Sequence, residues 1–358
     1  MRSRANRNWM RWAVVGVVVG VVAIVVWKYW PGREPAPADA DAKGGGGGVV
    51  DVSGGGKKPP ASSPAVGASK SGPGAPATQK APANGAILKL QEMSPAAATE
   101  RVKKGNELLA AKKLHEGRVE LSKALLSGKL PAGTDDVVRK TLTDLAGRMI
   151  FSAEVFDGDP YTMQYTFRPR EMLARVERTE KLHVPTQMLL SINRIAKAES
   201  IRAGQTIKVI RGPFHAVVTK SAFTMDIYLR REGFEPVFVK RLKVGVGKNG
   251  STPVGLWRVG LGNKLVRAPW FPPPNSPVRR SLRWGEEGYP LGKMGYWIGL
   301  EGIEEATTMH TGYGIHGTNE PDSIGQAASL GCIRLADADI ELVFSLLYEK
   351  WSTVRVRA

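Results

Sequence analysis

The chain of 358 residues contains one cysteine, Cys332, and a histidine, His316, stands sixteen positions before it. A free thiol titrates near ~8.5 and is mostly protonated at neutral pH, so acyl transfer to sulfur needs a neighbouring base. An imidazole, whose ordinary pKa lies near ~6.5, suits that role. The tetrahedral intermediate also needs donors for its oxyanion. Gly331 leaves room for a carbonyl close to the backbone, so amides around Leu330 to Cys332 are the candidates. By composition alone a lone thiol reads as a small buried hydrophobe. Its surroundings, Ile315-His316-Gly317-Thr318 and then Ser329-Leu330-Gly331-Cys332-Ile333-Arg334, favour a nucleophile. One cysteine permits no intramolecular disulfide and argues against a cysteine-ligated zinc site.

The elements that must position this pair read as β-rich from His215 onward. Val217–Thr219, Met225–Leu229, Val237–Val246, Gly255–Val259 and Trp297–Leu300 are strand candidates separated by Gly, Pro and charged turns. A helix from Asp337 to about Tyr348 and a strand over Thr353–Arg357 close the chain. This predicts an all-β core with little helix, not an alternating parallel α/β unit. The Pro-rich stretch Ala268 to Pro277 interrupts the strand pattern, either as a lid over the cleft or as an ordinary surface loop.

The pattern IHGT, then IG, then S-x-GCIRL resembles the signature of the YkuD-type L,D-transpeptidase family. Val244-Gly245-Val246-Gly247, Ser251-Thr252-Pro253-Val254-Gly255 and Pro290-Leu291-Gly292 fall where that family carries its TPxG and PLG segments. The resemblance implies a peptidoglycan L,D-transpeptidase on a β-sandwich or barrel. Cys332 would be the nucleophile and His316 the general base. The Gly317 carbonyl would hold the imidazole tautomer, and Ser329 and Arg334 would shape the substrate pocket. The donor would be a stem tetrapeptide, attacked before its terminal D-alanine. The thioester would be resolved by an amine, giving a crosslink or an anchored protein; water instead would give a carboxypeptidase. Neither metal nor organic cofactor is implied. Many relatives carry a second histidine directly before Gly-Cys, where this chain has Leu330. Leucine relays no proton, which leaves His316 to act alone, with His310 more in keeping with a structural role.

Upstream, Arg2, Arg4, Arg7 and Arg11 precede an uncharged run, Trp12 to Trp27, of 16 residues, against the ~20 of a membrane span. Basic residues before and aromatic residues at both ends predict an uncleaved anchor with its N-terminus in the cytoplasm, over residues 1–30. A cleaved signal peptide, with Ala38-Asp39-Ala40 as its site, is the rival. Either form puts the rest of the chain outside the cytoplasm, in the periplasm or wall of a bacterium. Residues 31–86 are dominated by Pro, Gly, Ala and Ser and read as a disordered tether.

Residues 87–156 read as a helical spacer. Ser94-Pro95 is a helix start, Gly117 and Ser127–Gly133 punctuate the apolar periodicity, and a further helix covers about Asp135–Phe151. Lys104–Leu126 weakly resembles one tetratricopeptide-type hairpin. Over 157–211 the expected order is strand (161–165), helix (169–182), helix (185–193) and strand (206–210). With LLSIN and IRAGQTIKVI it resembles a LysM module, which implies contact with wall glycan; a plain α+β spacer is the alternative. The catalytic domain is expected over 212–358. The net charge of +18 fits an anionic polymer or membrane surface, and the absence of a basic motif with interleaved aromatics argues against nucleic acid. Two further readings stand against the enzyme: a non-catalytic wall-binding protein on a decayed fold, and a cysteine peptidase acting on protein.

Overall fold

The computed structural model describes residues 93–273 and 276–358, all within one compact unit that spans 75–358. The expected membrane anchor (1–30) and tether (31–86) lie outside the described residues. Among the described residues no helix is long and apolar enough to cross a membrane.

Helix α1 (Pro95–Ala110) starts where Ser94 predicts, its hydroxyl accepting from the Ala97 N–H at 3.2 Å. Helix α2 is Leu114–Leu126 and α3 is Thr134–Met149. Gly117 does not punctuate the helix; it lies inside α2. A Cβ there would stand 2.6 Å from Leu109 and 2.9 Å from the Gly105 carbonyl, so the missing side chain lets α1 and α2 pack closely. Nor do the helices stand apart as a spacer. Leu121, Leu125, Val138, Leu142, Leu145 and Met149 share one apolar cluster with Val217, Tyr228 and Phe238 of the catalytic sheet.

Strand β1 (Thr162–Thr166), helices α4 (Leu173–Thr179) and α5 (Thr186–Ile192) and strand β2 (Thr206–Ile210) follow in the expected order, with β1 and β2 antiparallel. Helix α4 is shorter than the expected 169–182. The Glu171 carboxylate accepts from the Arg168 N–H, Arg170 has φ of 61° and Met172 is extended, so residues 168–172 form a turn. Asn193, the last residue of LLSIN, donates to the Leu189 and Lys208 carbonyls and accepts from the Lys208 N–H, tying α5 to β2. His183 stacks on Trp351 with centroids 3.6 Å apart, and the βααβ core is continuous with that of the catalytic region.

The catalytic region is one curled mixed sheet of eight strands with a two-stranded companion, where a sandwich or barrel was expected. The order is β11-β9-β8-β7-β12-β3-β4-β5. The strands are β3 (Phe214–Thr219), β4 (Thr224–Leu229), β5 (Val237–Lys243), β7 (Gly255–Leu265), β8 (Trp297–Gly302), β9 (Gly314–His316), β11 (Ile333–Arg334) and β12 (Thr353–Arg357). The C-terminal β12 inserts between β3, to which it is parallel, and β7, to which it is antiparallel. The candidate strand 237–246 splits in two. β5 ends at Lys243, and β6 (Val246–Gly247) turns away to pair in parallel with β10 (Ala327–Ser329). A short helix α6 (Glu305–Thr308) precedes β9. Helix α7 (Asp337–Leu346) buries Ile340, Val343 and Leu346 against the sheet.

Candidate active site

Cys332 occupies a bend between β10 and β11. The preceding Gly331 has φ of 141°, and a Cβ on it would stand 2.7 Å from the Tyr313 ring and 3.1 Å from the Ser251 carbonyl. A side chain cannot be accommodated there. Ser329 fastens the bend from within: its hydroxyl accepts from the Gly331 N–H at 3.1 Å and donates to the Cys332 carbonyl at 2.6 Å. Thr252 fastens it from the side. Its hydroxyl accepts from the Gly247 N–H at 2.7 Å and donates to the Gly331 carbonyl at 2.8 Å. Both hydroxyl-bearing residues are buried.

His316 ends β9, whose parallel partner is β11 with His316 opposite Arg334. Residues opposite one another, and residues two apart on a strand, project to the same face. Cys332 immediately precedes β11, so the pairing places the bend that bears the thiol beside the strand that bears the imidazole. The imidazole is held twice. Nδ1 donates to the Gly317 carbonyl at 2.5 Å, which leaves Nε2 as the lone-pair acceptor. Trp297, opposite His316 on β8, stacks on its ring at 5.8 Å with an interplanar angle of 17°.

The electrostatics make the resting pair neutral. Burial pulls the His316 pKa down to about 4; the Gly317 carbonyl works against that shift and the charge of Arg334 adds to it. Burial pushes the Cys332 thiol up to about 11, opposed by the Gly314 N–H and by Arg334. The thiol is half-buried and donates a long hydrogen bond to the Gly312 carbonyl at 3.9 Å. A protonated thiol and an unprotonated imidazole would be the starting point for general-base attack, in which proton and sulfur move together. Preformed thiolate–imidazolium chemistry would need the opposite shifts.

The geometry gives three of the expected residues partners within the protein. The Gly331 N–H donates to Ser329. Ser329 has both its hydrogen bonds inside its own loop, where it braces the bend that bears the thiol. Arg334 forms an ion pair with Glu320 at 2.5 Å, while its charge bears on both His316 and Cys332. Leu330, in the place of the second histidine, is partly exposed at 38%. His310 is exposed, with its ring T-shaped to Tyr313 and tilted against Trp257. Thr252, Trp297 and Tyr313 contribute to the site without having been singled out. For Thr252 a signal existed, since it falls in the STPVG segment.

The Pro-rich stretch belongs to a folded excursion between β7 and β8. Trp270 and Leu282 exchange backbone hydrogen bonds at 2.8 and 2.9 Å. Ala268, Leu282, Tyr289 and Leu291 form a small core against which Trp270 and Trp297 pack. Trp297 therefore joins this excursion to the imidazole.

Comparison with known proteins identifies the family. The YkuD family model, described as an L,D-transpeptidase catalytic domain, matches residues 213–356. A protein of Bacillus licheniformis, provisionally named L,D-transpeptidase YkuD, is 30% identical over 185 residues, covering 50% of this chain and 89% of that protein. Its namesake in Bacillus subtilis is 31% identical over 165 residues, covering 44% and 77%. Among solved structures, an L,D-transpeptidase from Mycobacterium smegmatis is 16% identical with a TM-score of 0.30. That match covers 43% of this chain and 64% of the other, under two thirds of its length.

Proposed function

Since the chain belongs to the YkuD family of L,D-transpeptidases, we propose that Cys332 is the nucleophile and His316 the general base of transpeptidation on peptidoglycan stem peptides. His316 Nε2 takes the thiol proton as sulfur bonds to the carbonyl carbon before the terminal D-alanine. The tetrahedral intermediate collapses by breaking the C–N bond, and the imidazolium returns its proton to the departing D-alanine amine. The tripeptide is left as a thioester on Cys332. An amine of a neighbouring stem attacks this thioester, gives its proton to His316 and expels the thiol, forming an amide crosslink. A protein amine would give an anchored protein, and water a shortened stem. With Gly331 spent on Ser329, the Leu330 and Cys332 amides are the donors proposed for the oxyanion.

One observation carries this reading: His316 is held by Gly317 and Trp297 with Nε2 unengaged by Gly317, on the strand beside the bend that bears Cys332. Two sequence features extend it. The βααβ segment, which resembles LysM, is proposed to hold wall glycan. The basic and apolar N-terminus is proposed to tether the enzyme to the membrane on the outer side.

The test is incubation of the full chain with disaccharide-tetrapeptide, followed by mass spectrometry. A crosslinked dimer with loss of D-alanine supports transpeptidation. Tripeptide alone assigns hydrolysis. An unchanged substrate, with no covalent β-lactam adduct on Cys332, sinks the enzyme reading in favour of a wall-binding protein.

A further inference from the structure

The bend bearing Cys332 is held by two hydroxyls acting on its two flanking peptides. Ser329 belongs to the same loop, but Thr252 reaches in from a separate segment that the reaction scheme above leaves without a role. Its environment is restrictive. Thr252 is 2% exposed, and its one hydroxyl is fully used, accepting from Gly247 N–H at 2.7 Å and donating to the Gly331 carbonyl at 2.8 Å. Gly247 and Gly331 are themselves in close contact, since a Cβ on Gly247 would lie 2.9 Å from the Gly331 Cα. Thr252 therefore rivets the companion strand β6 to the thiol loop at a point where the backbones touch.

The Gly331 carbonyl shares a peptide plane with the Cys332 N–H. The peptide is planar, and the cis bond found among the described residues is Gly212–Pro213. In a trans peptide the carbonyl and the following N–H point in opposite directions. Holding the carbonyl toward Thr252 thus fixes the direction of the Cys332 N–H, and a hydrogen bond on the carbonyl polarises that N–H as a donor. We propose that Thr252 is a positioning residue for acyl transfer: it aims and polarises the Gly331–Cys332 peptide so that the Cys332 N–H meets the oxyanion. This rests on the transpeptidase reading. A donor aimed at the oxyanion acts on the transition state more than on bound substrate. Its loss accordingly lowers kcat and spares KM.

The experiment compares wild type with T252V, which keeps the shape and removes the hydroxyl, and T252S, which keeps the hydroxyl. D-alanine release from disaccharide-tetrapeptide is measured per thiol titrated in the folded protein, with thermal denaturation followed in parallel. The expected result is a fall in kcat of roughly 10- to 100-fold for T252V with KM within about twofold, and restoration of most of the rate in T252S. A purely structural brace would lower the melting temperature of T252V and leave kcat per titrated thiol unchanged, and that result overturns the proposal. So does a T252S variant as slow as T252V. A wild type that releases no D-alanine overturns the transpeptidase reading itself, and this proposal with it.

Discussion

Two polar centres in this molecule lie in opposite regimes. At the junction of α2, β1 and the catalytic sheet, Arg118 is fully buried and pairs with Asp159 at 3.1 Å. Asp159 also accepts from the Tyr161 N–H and the Thr162 hydroxyl, and Arg118 lies over the Tyr161 ring at 5.1 Å. Nearby, Lys208 of β2 is buried with its ammonium on the Met149 and Glu154 carbonyls at 2.7 and 2.6 Å, closing the C-terminal end of α3. Here charges are sequestered, Arg118 on one carboxylate and Lys208 on two carbonyls. At the thiol loop the reactive groups are neutral, and the backbone and uncharged hydroxyls hold them. The difference separates a structural centre from the proposed reactive one: buried charge holds the segments of the junction together, whereas the thiol and the imidazole rest neutral.

The comparison breaks most severely at the thiol. Cys332→Ala should cost roughly 10⁴-fold or more in D-alanine release while leaving the denaturation midpoint near that of wild type. His316→Gln removes the base but leaves the sulfur, and the same assay should register a loss of about 10²–10⁴-fold. At the junction the signs exchange. Asp159→Ala strands the buried Arg118 and should lower the unfolding free energy by about 3–5 kcal/mol in urea titrations, with kcat per folded molecule retained. A loss of kcat there without loss of stability would show that the two centres are not separate.

Smaller effects follow from pH. With His316 near 4 and Cys332 near 11, alkylation of Cys332 by iodoacetamide should climb steadily from pH 6 to 10. A plateau across pH 5–8 would instead reveal a thiolate–imidazolium pair. Stability should fall in acid. His183 and His316 are held neutral near 4 and His215 near 3, each below its ordinary value because of burial. His215 accepts at Nδ1 from the Thr353 N–H. Folded pKa values below 6.5 mean that the unfolded chain binds more protons in acid. The stability these groups contribute is therefore complete above about pH 6.5 and lost as pH falls toward 4 and 3. Urea midpoints measured from pH 7 to 4 should decline; a flat series would contradict the burial of these imidazoles.

Much of this was legible in the chain because it is local. The alternating Thr206–Ile210 and Thr353–Arg357 are strands, Ser94-Pro95 starts a helix, and the residues around His316 and Cys332 carry the family resemblance within a few positions. What was not legible depends on partners far away in sequence. Val237–Val246 reads as one strand, yet it breaks where Gly245 exchanges backbone hydrogen bonds with Arg334. Gly117 reads as a helix breaker until Leu109 is placed against it. Arg118 has no acidic partner at helical spacing, and only the fold supplies Asp159, 41 positions away, to pair with it. The amphipathic helices announce an apolar face but do not name the sheet that covers it. In the site, the hydrogen bonds of Ser329 to the Gly331 N–H and the Cys332 carbonyl depend on a bend that the residue types alone do not announce. Thr252 stood in a recognisable segment without a visible task until its hydroxyl met the Gly331 carbonyl.

The central claim is that acyl transfer passes through sulfur at Cys332. Rapid acid quenching of the full chain turning over disaccharide-tetrapeptide, followed by peptide mapping, tests it most directly. The account predicts a mass increase, on the peptide containing Cys332, equal to the disaccharide-tripeptide acyl group, removed by hydroxylamine and absent in C332A. D-alanine release without that adduct, and undiminished in C332A, would contradict it.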